Sequence, residues 1–287
     1  TKRDKEDDRT RHMMALGAQT GPVFLAYRAT ADIDRIVAGA VREEPLFDFS
    51  ASDGVQHVVW RVAASVRDAL VAAFAPVSAL YIADGHHRVA SASRARLEIR
   101  DAGIVRSSLG NDADSTTFLG VAFPHNQAQI LPYNRTVKDL GGRSRTDFLA
   151  AVRGRFSTEP GPASPLKRGD IAMYFDGAWS TLRPLARSRN QDPIGSLDVS
   201  VLQNQLFEPV LGIADVRTDK RVDFIGGGRG TGELERLVDT ATAAVAFSLY
   251  PVSLDDLMTA SDAGAIMPPK STWFEPKLRD GLLIHLI

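Results

Sequence analysis

Leu80-Tyr81-Ile82-Ala83-Asp84-Gly85-His86-His87-Arg88-Val89-Ala90-Ser91-Ala92-Ser93-Arg94 is the stretch on which the reading of the chain turns. Pro76 closes the segment before it, and residues 80–83 are the apolar run of a buried strand. Gly85 permits an abrupt change of direction, because a residue without Cβ reaches backbone angles closed to others. From His86 to about Asp101 the residues suit a helix, with Val89, Ala92 and Leu97 along one face. The stretch predicts a strand, a glycine turn and a helix N-terminus in immediate succession.

Chemistry concentrates at that joint. A helix N-terminus presents unpaired N–H groups and a positive dipole end, and together these bind phosphate. His86, His87 and Arg88 follow at once, so each side chain there can donate to an anion. Asp84 stands before the glycine, where it can accept a proton from a hydroxyl or hold Mg²⁺. The plainer alternative makes Asp84 an N-cap and the histidines surface residues.

Ala83-Asp84-Gly85-His86-His87-Arg88 resembles the signature of a bacterial conserved-hypothetical family, domain of unknown function 1015. Segments 5–9, 130–135, 217–224 and 267–274 resemble further family segments in the same order, so the resemblance spans nearly the whole chain. It implies that an N-terminal region is missing before Thr1, with a His-Glu pair whose acid would accompany Asp84. The turn alone is also similar to the nucleotide-phosphate loop of the ParB/sulfiredoxin superfamily, which includes kinases of free serine with an Asp-Gly-His-X-Arg loop. That similarity implies a ParB/sulfiredoxin-like nucleotide-binding core.

Composition sets the outer limits. The 287 residues carry a net charge of −1, with 44% hydrophobic and 24% charged residues, as in an ordinary globular protein. Near-neutral charge and the lack of a basic recognition stripe argue against nucleic acid as a partner. Without cysteine, disulfides, thiolate catalysis and zinc–thiolate sites are excluded. No apolar run has the length of a membrane span and no signal peptide is visible, so a cytoplasmic protein is expected.

Strand and helix patterns alternate, which indicates a mixed α/β (α+β) fold of mixed sheets with flanking helices. Two lobes are expected: residues 1–156 with the glycine turn, and residues 170–287. Residues 157–169, with Pro160, Pro162 and Pro165, read as their linker. Asp53-Gly54 and Asp176-Gly177 mark hairpins; Ser65, Ser144, Asp198, Thr231 and Ser253 read as helix caps. Residues 107–116 read as a mobile loop, and 282–287 as a last strand.

Secondary candidates lie elsewhere. Gly226-Gly227-Gly228-Arg229-Gly230 lacks the endings of known phosphate loops and reads as a tight turn. Met267-Pro268-Pro269-Lys270-Ser271-Thr272 stiffens the backbone and then offers an ammonium and two hydroxyls, which suits a phosphate or carboxylate. Arg135 is a candidate clamp for a substrate carboxylate, or else an exposed strand arginine. No set of residues has metal-ligand spacing, so a tightly bound transition metal is not expected.

The reading that unites these candidates is an ATP- or ADP-using phosphotransferase acting on a small hydroxyl-bearing metabolite, with Mg²⁺. Gly85, His86, His87 and Arg88 would hold phosphates, while Asp84 and His87 would serve catalysis. Arg135, Lys270, Ser271 and Thr272 would contact substrate. A nucleotide-binding switch without chemistry and a Mg²⁺-dependent phosphohydrolase are the rival readings. Oligomeric state and acceptor identity are open.

Overall fold

Val23–Tyr27 reads Val-Phe-Leu-Ala-Tyr without polar alternation, as a strand covered on both faces should, and all five residues are buried. The computed structural model that shows this describes residues 3–104, 114–186, 192–275 and 277–287. It divides into two units, residues 1–128 with 276–287, and residues 129–275. The expected boundary at 157–169 does not coincide with these units.

The first unit runs α1 (Arg3–Leu16), β1 (Ala18–Gln19), β2 (Val23–Tyr27), α2 (Ala31–Ala40), β3 (Phe47–Ser50), β4 (Gln56–Val59), α3 (Ala64–Phe74), β5 (Tyr81–Asp84), α4 (His86–Asp101) and β6 (Gly120–Pro124). Strand β2 lies between β5, antiparallel to it, and β6, parallel to it. Strands β3 and β4 form a separate hairpin. Helix α1 packs on α4, where Met13, Ala95, Ile99 and Ile287 share a small core. Ser91 Oγ donates to the Glu6 carbonyl at 3.3 Å, and Arg94 pairs with Asp7 at 2.6 Å. The chain returns at its end, pairing His285–Leu286 with β1.

The second unit runs β7 (Gln129–Leu131), β8 (Tyr133–Val137), α5 (Arg145–Arg153), β9 (Phe156–Pro160), β10 (Ile171–Phe175), β11 (Ala178–Pro184), α6 (Asp198–Leu202), α7 (Glu208–Leu211), β12 (Val222–Gly226), α8 (Gly232–Asp239), β13 (Val245–Leu249), α9 (Leu254–Asp262) and β14 (Trp273–Glu275). Six strands form one antiparallel sheet in the order β12-β8-β13-β10-β11-β9. Strand β10 shows how both faces are covered. Ile171, Met173 and Phe175 join one core with Phe148, Leu202, Leu206 and Phe207, while Tyr174 joins another with Leu234, Ile225 and Ala246. The fold class is mixed α/β, as expected.

Several local expectations need correction. Residues 157–160 of the proline-rich linker are strand: β9 pairs with β11 at the sheet edge, where Pro160 sits opposite Ser180. An edge tolerates proline because no further strand needs its missing N–H. Asp198 is not the cap of its helix; the N-cap is Leu197, and the Asp198 carboxylate accepts the Gly169 N–H instead. Ser65 lies inside α3, whose N-cap is Ala63, and Thr231 makes no side-chain cap. Most of the expected loop at 107–116 lies outside the described residues.

Candidate functional site

The central stretch folds as strand, glycine turn and helix, but the strand begins at Tyr81 with Leu80 exposed, and α4 buries Ser91, Ala95 and Ile99 rather than the expected Val89, Ala92 and Leu97, of which Leu97 is exposed. Gly85 has φ +96° and ψ +24°, a left-handed conformation that favours glycine, and it is the N-cap of the 16-residue helix α4. Its carbonyl accepts from Arg88 N at 2.8 Å and Val89 N at 3.0 Å, which closes the first turn. Its own N–H donates to Asp84 Oδ1 at 2.9 Å. The N–H groups of His86 and His87 have no partner among the described residues. The turn thus offers adjacent backbone donors at the positive end of a helix dipole.

The four side chains differ in environment. Asp84 and His86 are exposed, whereas His87 and Arg88 are half-buried. Arg88 Nη1 donates to the Pro22 carbonyl at 3.2 Å, and Nη2 lies 3.7 Å from Asp280. The His87 ring has a buried Nδ1 with no partner among the described residues. Burial, then the positive field of Arg9 and Lys5, lowers its pKa below the ordinary 6.5. At neutral pH His87 is therefore an uncharged ring beside α1, and its contribution to an anion is its backbone N–H. Glu6 and Asp7 of α1 both face Arg94.

A feature that sequence reasoning missed adjoins this turn. Pro22, whose carbonyl takes the Arg88 hydrogen bond, also lines a cavity of about 480 Å³. Ile36 and Val37 of α2, Trp60, Phe123 and Leu278 supply apolar wall, and Lys277 and Arg279 are at its lining too. Arg279 is braced by His57 Nε2 at 3.1 Å and Asp53 at 2.6 Å. The signal in the sequence was the single apolar stripe of α2, Ile33, Ile36, Val37 and Ala40, of which only Ile33 is buried while Val37 is exposed toward the cavity.

The remaining candidates belong to the second unit. Arg135 is buried rather than an exposed strand arginine: only 1% of its surface is accessible. It donates to the carbonyls of Tyr133 and, at 3.2 Å, Lys270, and it stacks 5.2 Å from the Phe224 ring. Lys270 has φ +56°, and its ammonium sits over Tyr133, 5.2 Å from the ring centroid. Ser271 is buried and donates to the Pro268 carbonyl at 2.6 Å; Thr272 is half-buried. The glycine cluster is a tight turn as expected, and close approach explains it. A Cβ on Gly226 would lie 2.4 Å from the Trp273 ring, and one on Gly227 2.8 Å from the Pro132 carbonyl. His125 is structural, its Nδ1 accepting the Ala29 N–H at 3.0 Å. No group of three or more metal-ligating side chains occurs among the described residues.

Fold and turn define a mixed α/β protein with a glycine-opened helix N-terminus beside an apolar cavity. The chain belongs to the family described as protein of unknown function (DUF1015), whose model matches residues 1–200. No curated protein matches it. Among solved structures it is similar to SbnI with a C-terminal truncation from Staphylococcus aureus, at 12% identity and a TM-score of 0.48, over 100% of this chain and 81% of that one. It is also similar to a conserved hypothetical protein from Pyrococcus furiosus (10%, TM-score 0.41, 96% of this chain and 85% of that one). A free serine kinase in complex with AMP gives 10%, 0.39, 96% and 80%. Likenesses this distant assign no role to any residue here. No helix among the described residues is long and apolar enough to cross a membrane.

Proposed function

We propose that the first unit binds a nucleotide, with phosphates at the Gly85 turn, and that the protein transfers a phosphoryl group to a small hydroxyl-bearing metabolite. The observation that carries the reading is the left-handed Gly85 opening α4 beneath two unpartnered backbone donors. The adjoining cavity, about 480 Å³ with mainly apolar walls and Trp60, suits a purine base. The Asp-Gly-His-His-Arg order, similar to the loop of free serine kinases, gives the same direction.

The residues divide the work by environment. His86 and His87 N–H groups and the dipole of α4 hold the phosphates in place. Arg88, held by Pro22 and Asp280, fixes the shape of the turn and adds positive charge. Asp84 Oδ1 is engaged by Gly85, and Oδ2 has no partner among the described residues. That oxygen can orient the acceptor hydroxyl and take its proton. A Mg²⁺ ion carried by the nucleotide phosphates would neutralise their charge, with Asp84 left to the acceptor.

Titration calorimetry with MgATP and MgADP, and transfer assays on hydroxyl-bearing amino acids and hydroxy acids, test the reading. Asp84→Asn should leave nucleotide affinity within about threefold while lowering transfer about 10²- to 10⁴-fold, the range of a lost general base. A collapse of affinity in Asp84→Asn would make Asp84 a metal ligand or structural cap. One observation favours a second reading, a nucleotide switch without chemistry: Glu6 and Asp7, the acids of α1 that reach α4, are committed to Arg94. Tight binding with neither transfer nor phosphate release would select it.

A further inference from the structure

A second cavity, of about 430 Å³, lies wholly within the second unit and is lined by Arg135, Ser200, Gln203, Asn204, Phe207 and Arg217 among others. Its volume falls in the range of small-molecule sites, roughly 300–1,000 Å³. Three independent features mark it as more than a packing gap.

The first is the Arg135 guanidinium. It is almost wholly buried, and no carboxylate pairs with it among the described residues. Its bonds go to neutral carbonyls, and burial without a counter-charge lowers its pKa to about 9. A buried charge is ordinarily paired, because desolvation costs several kcal/mol per ion. Arg217 does not change this balance, since Asp215 already holds it at 2.7 Å.

The second is Gln203. Its Nε2 donates to the carbonyls of Ile213 at 2.8 Å and Ala214 at 3.2 Å, which fixes the amide orientation, since a carbonyl cannot donate. Oε1 is therefore the other atom, and it is buried without any partner. The third is backbone geometry. Gln203–Phe207 is a π-helical turn between α6 and α7, a distortion that costs regular hydrogen bonds and recurs at binding sites. Gln203, Asn204 and Phe207 all reach the cavity from this turn.

From these we infer that the second unit binds a small metabolite carrying a carboxylate together with a hydroxyl or amine. The carboxylate supplies Arg135 with its missing counter-charge, and the hydroxyl or amine donates to Gln203 Oε1. Asp192 also lines the cavity, its Oδ1 taking the Ile194 N–H at 3.0 Å, and favours a ligand that is not purely anionic. This site is independent of the nucleotide reading, which rests on the first unit.

Thermal melts of the intact chain with lactate, acetate, glycerol and inorganic phosphate test the inference. Lactate should raise the melting temperature saturably and act at least about tenfold more tightly than acetate, which lacks the donor; glycerol should give nothing. Arg135→Met should abolish the effect. If that variant fails to fold, Asn204→Trp, at an exposed lining position, should fill the cavity and abolish it with the fold intact. Phosphate binding better than lactate, no saturable shift with lactate, or a lactate shift that survives Asn204→Trp would each overturn the assignment. Loss of nucleotide binding by Arg88→Ala leaves these outcomes unchanged.

Discussion

At the scale of single residues, two titrating side chains respond to acid with opposite signs. The Asp198 carboxyl is buried, and burial raises it from 3.8 to about 6 despite the Gly169 N–H bonds at 2.9 and 3.2 Å. The folded state therefore holds this proton more tightly than the unfolded chain. The resulting stability, about 3 kcal/mol, is complete below pH 3.8 and lost as pH rises through about 6. His87 is shifted the other way, below its ordinary 6.5, chiefly by burial. Its contribution is complete above 6.5 and lost as pH falls through the lowered value. Hydrogen exchange followed from about pH 7 to pH 4 should therefore show the second unit tightening and the first loosening. Asp198→Asn should remove the tightening; parallel behaviour of both units would refute the assignment.

At the scale of elements, caps separate two otherwise similar helices. Ser253 accepts the Asp256 N–H at 3.0 Å while the Asp256 carboxylate accepts the Ser253 N–H at 3.0 Å, a complete capping box on α9. Thr231 stands at the same position of α8 and makes no side-chain bond. Ser253→Ala should cost about 1 kcal/mol in chemical denaturation, and Thr231→Ala only a few tenths. The sequence shows both residues as caps, because residue type and spacing are local information. Whether the hydroxyl bonds depends on φ and ψ, which the packing of each helix sets. The same limit explains Asp198, drawn off by a glycine 29 positions earlier in the chain. Strands and helices with clear periodicity were legible, and α4 runs from His86 to Asp101 as the sequence suggests. Sheet order was not, since β8 pairs with β12 and β13 across long stretches of chain. At the candidate site the glycine turn was legible from one residue's geometry. The burial of the His87 ring and of Arg135, and the cavity beside Pro22, arise from distant segments that no local pattern reports.

At the scale of the whole molecule, the feature with the widest consequence is that residues 277–287 belong to the first unit although residues 129–275 form the second. Ile287 completes the core between α1 and α4, and Leu278, Leu282 and Leu283 wall the cavity beside the turn. During synthesis the second unit is a continuous segment and can fold as it leaves the ribosome. The first cannot finish until residues 277–287 have emerged. At about 5–20 residues per second the delay is roughly 7–30 s, during which the apolar residues of α2, Trp60 and Phe123 lack their cover. Nascent chains arrested just after residue 275 should resist protease across the second unit and be cut within residues 3–104. Extending the chain through residue 287 should bring protection to both. The unit that bears the glycine turn thus starts before the second unit is made and is completed only after it.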